Sequence, residues 1–248
     1  MRHFLFFILV INLSFSQQND VFVGANEKYN SLDFIGAIEK YNELLIGGFH
    51  SPELYFNLGN AYYKLDSLAQ SIYYYEKGLK YFPNDSGLIQ NLEYLNNLTI
   101  DDIESLPEDI VSKQFNYFLN YFSLNTWSII TIITAIISCV LFLLYFLSKS
   151  SKYKRTYFTI FILSFALTSS LLFINLKIYN VQTTLEFGIV FEEVVEVNFE
   201  PNDKSEVLIE IHEGTKVEVI ENFDMDWLKI KLSNGQTGWI IKNQIKII

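Results

Sequence analysis

The side chains that could do chemistry are few and scattered. Three histidines occur, His3, His50 and His212, and none has a second histidine or a cysteine at metal-ligand spacing. Cys139 is the single cysteine, so one chain assembles neither a disulfide nor a thiolate metal site. Carboxylates are plentiful, but Glu192-Glu193 and the Asp224/Asp226 pair lack a neighbouring base or nucleophile that would give them an acid–base role. Gly47-Gly48 follows a helical pattern, which suits a helix C-cap and not a phosphate loop. The reading is of a non-enzyme without metal or cofactor, in which binding surfaces carry the function. The 28 acidic residues outnumber the 18 basic ones for a formal net charge of −10, which argues against a nucleic-acid partner, because phosphate binding needs a basic surface.

The elements that must position such surfaces are organised around two apolar runs. Residues 127–147 and 157–176 contain no Asp, Glu, Lys or Arg. At 1.5 Å per helical residue, about 20 residues cross a hydrocarbon core of roughly 30 Å. Transmembrane helices are expected over 126–148 and 157–177. A buried helical hairpin in a soluble domain is the alternative, but both runs are apolar all round, where a soluble helix would show one polar face. Between them, 149–156 forms a basic clip of Lys149, Lys152, Lys154 and Arg155, while both outer flanks are acidic. Positive loops stay cytoplasmic, so both termini are expected in the periplasm of a bacterial inner membrane. Residues 1–16 read as a signal peptide, with Arg2 and His3 before an apolar core and Ser14-Phe15-Ser16 as a small-x-small cleavage site. An uncleaved anchor is the other reading, and it leaves the topology unchanged.

Residues 17–99 are helical and repetitive. Within 51–85, Tyr55, Leu58, Gly59 and Tyr62 in one helix and Ser71, Tyr75, Gly78 and Pro83 in and after the next resemble a tetratricopeptide repeat. Shifting back by 34 residues sets Ala25 under Gly59, Ala37 under Ser71, Tyr41 under Tyr75 and Leu44 under Gly78, a more degenerate copy. The small residues let helices approach, and Asn84-Asp85-Ser86 offers N-caps for a closing helix. The resemblance implies a concave groove lined by the first helix of each pair: Phe22, Asn26, Tyr29 and Asn30, then Glu53, Phe56, Asn60, Tyr63 and Lys64. Such a groove holds a peptide or a partner's helix, although each aromatic could equally pack its neighbouring helix. Asn26 and Asn60 match the asparagine of carboxylate-clamp members, but the lysines and arginine completing a clamp are missing, so capture of a C-terminal carboxylate is not expected.

A connector, 100–125, is acidic at first and then aromatic, with Phe115, Tyr117, Phe118, Tyr121 and Phe122 suited to a short interfacial helix or a plain linker. After a linker at 178–186 the periodicity changes to 2 over 207–211, 216–220 and 228–232, the mark of half-buried strands. Asn234-Gly235 signals a tight type I′ hairpin. Residues 187–248 resemble a bacterial SH3 domain, a small all-β barrel, on Gly214, Trp227, Gly235, Gly238 and Trp239. The usual arginine-serine-glycine-proline run is Asn198-Phe199-Glu200-Pro201 here, which weakens a wall-binding role. Its candidate partner-binding residues are Phe199, Pro201, Trp227 and Trp239.

The order of signal, helical repeats, two-helix transmembrane hairpin and SH3-like barrel resembles BatE-type proteins of the Bat (Bacteroides aerotolerance) group. That resemblance implies a membrane scaffold for envelope proteins, among them Bat proteins with von Willebrand factor A domains and an associated MoxR-type ATPase, with a role in aerotolerance, stress or envelope integrity. Peptidoglycan binding through the SH3 unit is the alternative.

Overall fold

The computed structural model describes residues 20–103, 106, 110–119, 121–224 and 226–248. The expected signal peptide, 1–16, lies outside them. Two compact units emerge, one from residues up to Leu106 together with Glu186–Ile248, the other from Pro107–Leu185.

The first unit begins with a helical array. Residues 20–30 form α1, followed by α2 (Phe34–Ile46), α3 (Pro52–Tyr63), α4 (Leu68–Tyr81) and α5 (Ser86–Asn96). Helices α2, α3 and α5 each start on a side-chain cap. The Asp33 carboxylate accepts from the Gly36 N–H at 3.0 Å, Ser51 Oγ from Leu54 N–H at 3.2 Å, and Asp85 from Leu88 N–H at 2.9 Å. Gly47 caps the end of α2, as its position after the helical pattern implies.

The 34-residue period is visible in the packing. Tyr41 donates its hydroxyl proton to Asn26 Oδ1 at 2.6 Å, and Tyr75 does the same to Asn60 Oδ1 at 2.9 Å. Asn57 Nδ2 donates to that same Asn26 oxygen at 3.0 Å, and Asn91 Nδ2 to Asn60 at 3.4 Å. Helix α5 therefore occupies the place of a third first-helix. Tyr41 and Tyr75 are buried, and burial pushes each phenol up to about 12. Gly59 is required by this contact, since a Cβ there would stand 2.2 Å from Tyr75 Cε1.

The same unit ends in seven antiparallel strands: β1 (Glu186–Val190), β2 (Val194–Asn198), β3 (Val207–His212), β4 (Lys216–Phe223), β5 (Trp227–Lys231), β6 (Thr237–Ile241) and β7 (Ile245–Ile247). Their order across the sheet is β3-β2-β6-β5-β4-β1-β7. Alternation buries Val195, Val197, Val217, Leu228, Ile230 and Ile240 in one core. The β5–β6 turn differs from the type I′ expectation. Its Gly235 N–H bonds to the Leu232 carbonyl at 2.9 Å, the Leu232 N–H bonds to the Gln236 carbonyl at 2.8 Å, and only Gly235, not Asn234, has positive φ. This is a three-residue loop closed by a glycine bulge, which needs one left-handed residue where type I′ needs two.

The second unit contains α6 (Ile110–Leu119), α7 (Leu124–Leu147) and α8 (Ser151–Thr184). Helices α7 and α8 form an antiparallel pair joined by residues 148–150; Ser128 bonds to Asn175 at one end, and the Phe142 and Phe161 rings meet at 5.3 Å nearer the other. Both are long and apolar enough to cross a membrane, and 6% of each apolar stretch is buried, unlike a helix at the core of a soluble fold. Two expected boundaries shift. Lys152, Lys154 and Arg155 lie in the first turns of α8, not in an eight-residue loop, and the expected linker at 178–186 is helical to Thr184. Neither stretch contains a proline or glycine, so nothing stops the helix where the apolar character ends.

At the α6 end of this pair Trp127 Nε1 donates to the Leu119 carbonyl at 3.0 Å, between the rings of Phe118 and Phe122. Lys177 lies 4.2 Å from the Phe115 ring centre. Asn175 holds the two long helices together, donating to Thr131 Oγ1 at 2.8 Å and accepting from Ser128 at 2.9 Å. The aromatic segment expected as a short interfacial helix or a linker is therefore helical over Ile110–Leu119.

Candidate functional site

Along the helical array, the structure separates the expected groove residues into two kinds. Glu53 and Lys64 are exposed. Asn26 and Asn60 spend their side-chain oxygens inside the array, each on a tyrosine of its own repeat and an asparagine two helices on. Tyr29 packs edge-on to Phe34 at 5.2 Å, and Phe22 lies between Tyr41 and Phe49. Phe56 is half-buried beside Tyr75, while Tyr63 and Tyr94 share a hydroxyl contact of 3.1 Å. The groove's free polar groups are thus fewer than the sequence pattern suggests. Asparagine at a repeat position reads equally as a ligand hook or as an internal strut, and here its oxygen serves as a strut.

On the β unit, Trp227 lies in a cleft of about 360 Å³ with Val194, Glu196, Asn198, Asp203, Ile241 and Gln244. Trp239 occupies the neighbouring strand, with Phe223 edge-on at 5.5 Å and the Lys229 ammonium 5.5 Å from its ring centre. Phe199 is exposed and Pro201 half-buried in a loop closed by a 2.8 Å bond from Glu200 N–H to Ser205 Oγ. Neither lines the Trp227 cleft, whereas Asn198 and Asp203 do. Their signal was available in part, because Asn198 begins the run that departs from the SH3 pattern.

The feature with no signal in the sequence is the seam between these two parts. The β unit packs on α4, the second helix of the second repeat, and sets Ile189 of β1 in the helical core. Tyr73 meets Phe191 edge-on at 6.0 Å, and the Lys246 ammonium stands 4.4 Å from the Tyr73 ring centre. Burial, with Lys77 nearby, lowers the Lys246 pKa. Lys216 pairs with Glu76 at 2.6 Å. The β3–β4 turn comes so close that a Cβ on Gly214 would stand 2.8 Å from Ile72 Cδ1.

The connector straps the seam. Asp101 accepts from the His212 N–H at 2.6 Å, from the Thr215 hydroxyl, and faces His212 Nδ1 at 2.7 Å. Burial alone would raise this carboxyl, but the hydrogen bonds from Thr215 and His212 outweigh it and hold the pKa below its usual value. Two residues on, Ile103 packs into the β core, and the Leu106 N–H bonds to the Ser233 carbonyl at 3.1 Å. Aspartate, histidine and a hydroxyl in one cluster invite a catalytic reading. Thr215 is bonded to the carboxylate and not to the imidazole, so the geometry is a structural pin and not a nucleophile–base pair.

His50 is likewise structural, at 2.8 Å from the Tyr55 hydroxyl and stacked on Tyr81 at 4.6 Å. Among the described residues no three His, Cys, Asp or Glu side chains converge as a metal site.

No curated protein sequence matches the chain. Family models do: residues 52–85, covering α3, α4 and the turn after them, match the tetratricopeptide repeat, and residues 194–245, covering β2 into β7, match the bacterial SH3 domain.

Proposed function

We propose that the chain is a non-enzymatic, membrane-anchored scaffold that presents its helical repeats and SH3 unit together on the periplasmic side of a bacterial cytoplasmic membrane. The observation that carries this reading is the docking of the β unit on α4. The chain between the two, 107–185, includes two helices long and apolar enough to cross a bilayer. A hairpin returns the chain to the side it left, as the docking requires; one crossing would not. Lys152, Lys154 and Arg155 at the start of α8 then set the turn in the cytoplasm and both termini outside.

Repeat and SH3 modules fit protein interaction, and the resemblance to BatE-type proteins names the partners: envelope or membrane proteins, above all those with von Willebrand factor A domains. The test is affinity purification of the full chain from detergent-solubilised membranes. Co-purification of such proteins is expected, and repeated recovery of the chain alone argues against the complex.

A second reading, a peptidoglycan-binding sensor or anchor, is favoured by the polar cleft beside Trp227. It predicts that detergent-solubilised chain sediments with isolated sacculi and that Trp227→Ala reduces the bound fraction. Equal sedimentation of both forms counts against it.

A further inference from the structure

We propose that the cleft at the seam, walled by α5, the connector and the β3–β4 turn, is a docking site for an extended basic peptide segment, a lysine or arginine flanked by apolar side chains. The cleft measures about 540 Å³, within the roughly 300–1,000 Å³ of ordinary ligand pockets. It is distinct from both the groove of the repeats and the Trp227 cleft, and it exists only because the two modules are docked.

Its chemistry names the occupant. Leu79, Ile89, Leu92 and Ile103 give an apolar lining for aliphatic side chains. Three acids reach the cleft. Asp101 is spent on His212 and Thr215, whereas Glu93 and Asp102 make no ion pair among the described residues. Among the described lining residues the one cation, Lys216, is neutralised by Glu76 at 2.6 Å. Two carboxylates without an ion pair among the described residues, in a cleft that is part polar and part apolar, favour a cation between apolar groups and repel an acidic peptide, and the net charge of −10 steers the same way. The walls are also fixed beforehand. Asp101 pins the β3–β4 turn, and Ile103 anchors the connector in the β core, so little ordering cost remains at binding.

The test uses the full chain in nanodiscs of zwitterionic lipid and two fluorescein-labelled peptides, one alternating leucine and lysine, the other leucine and glutamate. Fluorescence anisotropy is expected to show saturable binding of the lysine peptide alone, weakening with salt. Glu93→Lys with Asp102→Lys, both exposed positions, is expected to weaken it about tenfold or more. Circular dichroism of that variant checks that the fold is kept. No saturable binding, equal binding of both peptides, or binding unchanged in the double variant overturns the proposal. So does a loss caused instead by Trp227→Ala or by reversal of the exposed groove acid in Glu53→Lys, which would move the peptide to the β cleft or the repeat groove.

Discussion

Asp101 and His212 stand 111 residues apart in sequence, and the carboxylate of the first accepts the backbone N–H of the second at 2.6 Å while facing its imidazole at 2.7 Å. Together with the Thr215 hydroxyl on the same carboxylate, this contact ties the connector after α5 to the turn that docks on α4. Asp101→Ala removes the acceptor for two donors at once. We expect the unit to lose about 2–3 kcal/mol, read from urea unfolding of the detergent-solubilised chain by tryptophan fluorescence. An unchanged midpoint shows that the pin contributes nothing to stability.

The same carboxyl sets a pH dependence. Its folded pKa lies below the ordinary 3.8, so on acidification the unfolded chain takes up this proton first. The stabilisation it supplies is complete above that ordinary value and is lost as the pH falls from there through the folded one. Unfolding free energies measured on the acid side are expected to decline less steeply in Asp101→Asn than in the unaltered chain. Identical acid slopes contradict the assignment.

Gly59→Ala forces a Cβ to 2.2 Å from the Tyr75 ring. Either the ring moves and stretches its 2.9 Å bond to Asn60, or α3 and α4 separate. Overpacking of this kind costs about 1–3 kcal/mol. Thermal unfolding of the variant should show it, and Tyr75→Leu in the same chain, which removes the clashing ring, should recover part of the loss.

The ion pair at the seam is worth less. Lys216 is partly exposed, so Lys216→Gln is expected to cost only about 0.2–1 kcal/mol. Its geometry is the better readout. A carbodiimide, which joins amines to carboxylates in direct contact, should link Glu76 to Lys216 within one chain, and mass spectrometry of the digested protein detects that link. Its absence would mean that the β unit is not docked on α4 in solution.

Topology is tested in cells with Cys139→Ser as background. Single cysteines at Asp102, Tyr153 and Glu206, all exposed, are treated with a membrane-impermeant maleimide. Positions 102 and 206 should react from the periplasmic side and position 153 only after lysis. Reaction of 102 and 206 from opposite sides would exclude a hairpin.

Much of this architecture is written in local periods. Two uncharged runs, a 34-residue recurrence of small residues and tyrosines, and alternation along the last quarter of the chain each report a helix or strand from side chains a few positions apart. The tertiary structure decided what these elements do to one another. It gave the Oδ1 atoms of Asn26 and Asn60 to a tyrosine and an asparagine from other helices. It also made Asp101, one acid at the acidic start of the connector, the pin of the seam, and set Ile189 in a helical core although it belongs to a strand. Contacts between residues more than a hundred positions apart leave no period in the sequence. They arise only when two faces, each ordinary alone, are brought together and exclude water.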